Sequence, residues 1–251
     1  MEKTAERMAT IIGNDVDAAK IVDELATSKI RALVNKTHIA EKTVDHLASV
    51  DPEDSSSDPA SNPEEIDPDW LNFFANYAEK ASSEAVRDLW ARVLAGEIRY
   101  PKSFSLMTLR VLAELDQRTA SWFQEEAEFR FMGKYILRPN DFTGERLIRL
   151  DFLEQVGLLH HIAPIGGICH VFKPDQNGFA TLIESNLCLR IFTEHEVRLP
   201  VIGLTQVGKE IATILPPVDS KPVLKRVAVA LRPIKSNQWT SVEYSTKSGI
   251  M

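Results

Sequence analysis

An acidic segment, residues 51–66, sets the strongest limit on how this chain can fold. Its sequence, DPEDSSSDPASNPEEI, holds three prolines, four serines and six acidic residues. Such a composition cannot bury enough apolar area to offset the entropy that a chain loses when it is ordered. The segment is therefore predicted to be a flexible linker. It separates residues 1–50 from a main body that begins at residue 67, and it leaves the N-terminal part able to pack on another subunit.

Residues 1–50 carry apolar side chains at helical spacing. Ile21, Val22 and Leu25 form one group and Ile30, Leu33 and Val34 the next, with a break expected near Gly13 and Asn14. This spacing predicts two or three amphipathic helices. Because the linker tethers them, we expect this segment to serve self-association or docking to a protein partner.

Residues 67–133 are predicted to form a helical bundle. Two stripes at helical spacing indicate core-facing helices: Trp70, Phe73, Phe74 and Tyr77, then Val86, Leu89, Trp90, Val93 and Leu94. Ser82, Ser103 and Asp116 are the expected N-caps of the following helices, the last of which should reach about Met132. For Trp70, Phe73, Trp90, Leu94 and Leu106, packing in a core is favoured over a ligand site.

The sequence pattern changes in residues 134–251, where Gly, Pro and β-branched residues interrupt short apolar runs. A helix is expected over 143–156, then a hairpin of 158–165 with 168–172 around Gly166-Gly167. A second extended pair, 186–192 and 197–204, precedes a helix that starts at Thr205. The remaining expectations are a helix over 221–231 and an extended run over 239–245. The chain is thus predicted to be mainly α, a helical bundle followed by a small α+β winged-helix-like unit.

Composition and charge narrow the class of protein. The chain has 251 residues, 44% of them apolar, and only two cysteines, Cys169 and Cys188. No apolar stretch is long enough for a membrane helix, and two cysteines are too few for a secreted disulfide framework, so a cytoplasmic location is expected. Residues 1–66 hold 14 acids and 7 bases, whereas the tail after residue 218 is mildly basic. For that tail a solvated surface is favoured over nucleic-acid binding.

The sequence contains no motif of a phosphate-binding loop, of a serine nucleophile for acyl transfer or of a zinc protease. Arg31 and His38 stand at the spacing seen in helical ribonucleases, where a His and an Arg act on a phosphate group. The pattern is common by chance, so a surface role is favoured. Catalytic residues and cofactors are accordingly not assigned, and Arg31 and His38 are kept as nuclease candidates.

Nucleic-acid contacts are the second functional hypothesis. The helix over 143–156 would expose Arg146 and Arg149, which attract phosphate, but also three acidic residues, which repel it. DNA or RNA binding would therefore need additional basic residues. The candidates are Arg190, Arg198, Lys209, Lys225 and Arg226.

A metal site is a weaker hypothesis. The potential ligands are His160, His161, Cys169, His170, Cys188 and His195. In the expected hairpin, strand alternation places His161 and His170 on one face and Cys169 on the other. No established ligand spacing is present, so ordinary sheet residues are favoured and no metal is assigned.

Three ordered phrases carry a family resemblance: DPDWLNFFANYAE (67–79), LWARVLAGEI (89–98) and PKSFSLMTL (101–109). In this block, and more weakly at GLTQVGKEI (203–211), the chain resembles a family of uncharacterised bacterial proteins. That resemblance implies a bacterial source and no catalytic residues. The expected function is a non-enzymatic interaction or regulatory protein with the winged-helix-like unit as its contact surface. The alternative is a nucleic-acid-binding protein or nuclease in regulation or defence against phage.

Overall fold

The computed structural model describes residues 16–49, 65–138, 144–162, 167–185, 187–231 and 242–246. Eight helices and seven short strands occur in this part of the chain, in agreement with the predicted mainly α class. The chain divides into two compact units, Met1–Ala113 (unit 1) and Glu114–Met251 (unit 2). The predicted bundle of residues 67–133 spans the end of unit 1 and the beginning of unit 2.

The elements follow in chain order. The helices are α1 (Val16–Ala48), α2 (Pro68–Ala78), α3 (Glu84–Arg99), α4 (Leu106–Glu114), α5 (Gln117–Ala127), α6 (Gly144–Gln155), α7 (Gln206–Thr213) and α8 (Ser220–Leu231). The strands are β1 (Tyr135–Leu137), β2 (Leu159–His160), β3 (Ile168–Phe172), β4 (Phe179–Glu184), β5 (Leu187–Phe192), β6 (Val197–Leu204) and β7 (Val242–Thr246). None of the described helices has the length and apolar character needed to cross a membrane.

Helix α1 is one continuous helix of 33 residues, and the predicted break at Gly13-Asn14 lies outside the described residues, as does any helix before it. Its C-terminal half packs on α3 through Ile39 and Thr43, which are buried. Asn35 Nδ2 donates to the carbonyl of Glu79 at 2.8 Å, and His46 Nε2 lies 2.8 Å from Asp88 Oδ1. The hydrogen bonds and ion pairs that join α1 to α2 and α3 begin at Asn35.

Side-chain oxygens cap the helices of both units. The Asp116 carboxylate accepts a hydrogen bond from the backbone N–H of Thr119 at 2.7 Å, as predicted. The cap of α3 is Ser83 and not Ser82, since Ser83 accepts from Val86 N–H at 3.3 Å. Before α4 the acceptor is Ser105 and not the predicted Ser103, since Ser105 Oγ accepts from Thr108 N–H at 3.3 Å. These two predicted caps were wrong by one and two residues, because a serine at either position can supply the oxygen.

The core of unit 1 is aromatic. Trp70 stacks on Phe74 with ring centroids 5.3 Å apart, and Phe74 meets Trp90 edge to face at 5.5 Å. Two residues expected in the core are instead exposed, Phe73 at 47% and Leu106 at 45%. Adjacent helical residues differ by about 100° in direction, so Phe73 cannot face inward together with Phe74.

Unit 2 contains two small antiparallel sheets. In the first, β6 is central: Gly203 is paired with both Tyr135 of β1 and His160 of β2, so β1 and β2 lie on opposite edges of β6. Strand β3 follows β2 along the same edge of β6 and pairs with β6, so that His170 lies opposite Leu199. The second sheet has the order β4-β5-β7. Together with α8 the sheets enclose the unit 2 core, which includes Phe131, Phe172, Leu189, Val201, Leu224 and Val227.

The predicted hairpin of residues 158–165 with 168–172 is wrong. Strands β2 and β3 both pair with β6 rather than with each other, and the expected turn residue Gly166 lies outside the described residues. The runs 186–192 and 197–204 contain strands β5 and β6, but these belong to different sheets, and β5 pairs with the unforeseen strand β4. Alternation reveals a strand and its buried face, whereas the partner depends on the whole topology.

Candidate functional site

Helix α6, the predicted contact helix, carries two arginines that are already bonded to carboxylates. Arg146 donates through Nε and Nη2 to both carboxylate oxygens of Glu126, at 2.9 and 2.8 Å. Arg149 donates to Glu145 at 2.6 Å and to Glu125 at 2.9 Å, and its hydrogen bond lowers the pKa of Glu145. A guanidinium whose donors are occupied attracts a phosphate less strongly. Helix α6 alone is therefore a weak anion site.

A groove of about 510 Å³ lies beside this helix in unit 2. Four of its lining residues are cationic: Arg138, Arg146, Lys225 and Arg226. None of the described residues that line it is acidic. The other lining residues are Phe129, Ile136, Leu137, Pro222, Val229 and Ala230. Because Glu126 offsets the charge of Arg146, the other three cations over the apolar floor supply most of the local potential that attracts anions. We call this feature the basic groove.

Two cations of the basic groove are held in place by the fold. The Arg226 guanidinium lies 3.2 Å from the ring centroid of Phe129, a cation–π contact. Arg138 donates through Nη2 to the carbonyl of Ile162 at 2.9 Å. Lys225, one residue before Arg226 on α8, is exposed. The groove thus combines fixed guanidinium groups with a lysine that extends into solvent.

Three residues that the sequence nominated meet in this groove, namely Arg146, Lys225 and Arg226. Arg138 was missed. Its only signal is a basic residue directly after the short strand β1, and that signal has meaning only once Arg138 and α8 are known to line the same groove. The tertiary fold, rather than any local motif, assembles the cluster.

The other nominated contacts are not among the residues that line the basic groove. The Arg190 guanidinium lies over the ring of Phe179 at 4.2 Å from its centroid. Arg198 is exposed on β6 and Lys209 is half-buried on α7. That these three residues contact nucleic acid remains a prediction.

The nuclease candidates Arg31 and His38 are both exposed on α1. Seven residues of helix separate them by about 10 Å along the axis. The pKa of the Glu84 carboxylate is lowered mainly by its hydrogen bond with Lys42, and the charge interaction with His38 contributes least. A nuclease role for Arg31 and His38 stays a prediction.

The potential metal ligands are dispersed. Among the described residues, no three His, Cys, Asp or Glu side chains lie close enough to hold a metal ion. His170 packs among the rings of Phe131, Tyr135 and Phe172, where burial, and then the charge of Lys134, lower its pKa.

The hairpin that would have placed His161 and His170 on one face does not form. The ring of His161 instead contacts that of His160. Cys169 is exposed and Cys188 is buried, and both are free thiols.

The geometry defines a mainly α protein whose second unit carries a basic groove. A family model described as a protein of unknown function (DUF2806) matches residues 35–135, which confirms the resemblance to an uncharacterised family. The match runs from the packed half of α1 through the unit 1 bundle to the first residue of β1. No curated protein and no solved structure matches the chain.

Proposed function

We propose that this protein is a non-enzymatic interaction or regulatory protein, with unit 2 as its main contact surface and helix α1 as a second docking element. The observation that carries the proposal is the basic groove, where Arg138, Arg146, Lys225 and Arg226 line one concavity. The described residues of this lining include no acid, and the carboxylate of Glu126 pairs with Arg146 from outside the lining. The three cations other than Arg146 favour an anionic partner, because each one that is neutralised on binding relieves repulsion among the others.

A winged-helix-like architecture is part of this proposal. Helix α6 precedes β2, the sheet has the order β1-β6-β2, and Thr205 after β6 caps α7 by accepting from Gly208 N–H at 3.0 Å. A helix followed by strands that return to a central strand supports a winged-helix-like interpretation. Strands β3, β4 and β5 would then be an elaboration between the two wing strands. The architecture alone is compatible with protein or nucleic-acid partners.

Nucleic acid is the second candidate partner, and the cations of the basic groove favour it specifically. Phosphate backbones bind through Lys and Arg side chains and release counterions, so such binding is strongest at low salt. The bases would find an apolar floor and, over Phe129, the guanidinium of Arg226, and guanidinium planes are platforms on which unpaired bases stack. An acidic protein surface would use the same charges without that stacking.

We expect the full chain to shift mixed DNA or RNA in a gel at low salt, and the double variant Lys225→Met/Arg226→Met to bind roughly tenfold more weakly with a shallower salt dependence. Methionine keeps an apolar stem over Phe129 while it removes the charge. Lys221→Met, on the same helix but outside the groove, is the matched control and should bind as the wild type does. If no shift occurs in low salt, the nucleic-acid partner is excluded and an acidic protein remains.

The nuclease alternative has a separate test. RNA incubated with wild-type protein and with His38→Ala should be degraded only by the wild type if Arg31 and His38 act on phosphate. Intact RNA in both reactions would remove the alternative. Since both residues lie in α1, neither result affects the proposal for unit 2.

A further inference from the structure

Between residues 21 and 34, helix α1 exposes apolar side chains that no other described part of unit 1 covers. Six large apolar residues are between 43% and 65% exposed: Ile21, Val22, Leu25, Ile30, Leu33 and Val34. The four that share one face, Val22, Leu25, Ile30 and Leu33, present on the order of 400 Å² of apolar area per helix, so two such faces would bury roughly 800 Å², the size of a weak interface. Exposed apolar area of this extent indicates a binding surface.

The order of these residues is symmetric about the point between Thr27 and Ser28. Counting outward from that point, Leu25 matches Ile30, Val22 matches Leu33, and Ile21 matches Val34. An antiparallel pair of identical helices related by a two-fold axis at this point brings each residue opposite its match. On the face formed by Val22, Leu25, Ile30 and Leu33, each large apolar residue of one helix would therefore meet a large apolar residue of the other. Ile21 and Val34 lie about 110° to either side of this face and flank the pair.

The direction of the side chains agrees with such a pair. At about 100° per residue, Val22, Ala26 and Leu33 lie within about 40° of one another, and Leu25 and Ile30 flank them. This face is turned by about 110° from the one that buries Ile39 on α3. A second helix can therefore pack on it without displacing α3.

The charges distinguish the antiparallel from the parallel arrangement. Lys29 lies on the same face, and the antiparallel register places it opposite Ala26 of the second copy, where a small side chain leaves room for the lysine stem. A parallel register would instead place Lys29 against the second copy's Lys29, a repulsive contact. In the antiparallel pair, Asp23 lies about 4.5 Å along the axis from Lys29 of the second copy, within reach of an ion pair.

We propose that two copies of this chain associate through residues 21–34 of α1 as an antiparallel helix pair, with the two-fold axis between Thr27 and Ser28. This inference rests on the proposed function only in that α1 is a docking element, and it makes no use of unit 2. The packed halves of the two α1 helices extend in opposite directions from the overlap, so each unit 1 bundle lies at its own end of the pair.

Light scattering and sedimentation of the full chain test the pairing. The wild type should be dimeric, and Val22→Asp/Leu33→Asp should raise the dissociation constant by more than about tenfold, because the pair would bury two charges per helix. Thr27→Asp/Ser28→Asp, which adds the same charges on the opposite face of the helix, should remain dimeric. A monomeric wild type, or a dimer that survives Val22→Asp/Leu33→Asp, would overturn the inference.

Disulfide trapping tests the direction of the pair. In a Cys169→Ser background, chains with Val22→Cys are mixed with chains carrying Leu33→Cys and oxidised with glutathione disulfide. The antiparallel pair predicts a cross-linked dimer from the mixture and little from either variant alone. Cross-linking of each variant with itself indicates a parallel pair and overturns the register, while α1 remains a docking element. The gel-shift assay on unit 2 is unaffected by either outcome, so the two proposals fail separately.

Discussion

Replacing Gly208 with alanine is expected to destabilise unit 2 by about 3 kcal/mol or more, because an added Cβ overlaps with backbone. The Cβ would lie 2.1 Å from the carbonyl oxygen of Leu158 and 3.1 Å from its carbonyl carbon. The same carbonyl accepts a hydrogen bond from Thr205 N–H at 3.1 Å. Helix α7 would have to move away from Leu158, and that movement would break the junction between α7 and β2.

Amide hydrogen exchange resolves this effect by unit. Exchange in β6 should accelerate in Gly208→Ala, whereas exchange in α3 should remain as in the wild type. Lys209→Ala, at the next position of α7, is the matched control, and we expect it to change the stability by no more than about 0.5 kcal/mol. Equal protection of β6 in Gly208→Ala and in the control would contradict the close approach of α7 to Leu158.

Loss of the buried Glu97 carboxylate is expected to destabilise unit 1 by about 3 kcal/mol, the second largest effect. Glu97 is 2% exposed, and its two oxygens accept hydrogen bonds from the backbone N–H groups of Lys102 at 2.6 Å and Phe104 at 3.0 Å. These bonds hold the loop between α3 and α4, in which Lys102 has a positive φ of 70°. The loop in turn presents the Phe104 carbonyl to Trp70 Nε1 at 2.7 Å.

Urea denaturation of Glu97→Ala and Glu97→Gln measures this contribution. Alanine leaves both N–H groups without their acceptor, whereas glutamine keeps one acceptor oxygen, so the loss should be larger for alanine. Glu41→Ala, at an exposed position of α1, serves as a control and should unfold as the wild type does. Identical midpoints for Glu97→Ala and the control would show that the loop is held by other contacts.

Local patterns predicted the helices of this chain well, because a helix satisfies its own backbone. The helix after Asp116 begins where its carboxylate can accept from Thr119, and the helix after Thr205 begins at Gln206. The family resemblance of residues 67–109 was also readable, since it depends only on the order of residues along the chain. The basic residues Arg146, Lys225 and Arg226 were nominated from charge and helix position alone.

The sequence by itself therefore determined most of the helices, the strand segments 168–172, 187–192 and 197–204, and the family block, which all depend on residues close together along the chain. Only the tertiary structure decided that β2 and β3 pair with β6, and that Arg138 joins Arg146 and Arg226 in one groove. The physical reason is that a strand must find its hydrogen-bond partners outside itself, and a surface cluster is defined by distance in space. Neither depends on separation along the chain, so no local pattern encodes them.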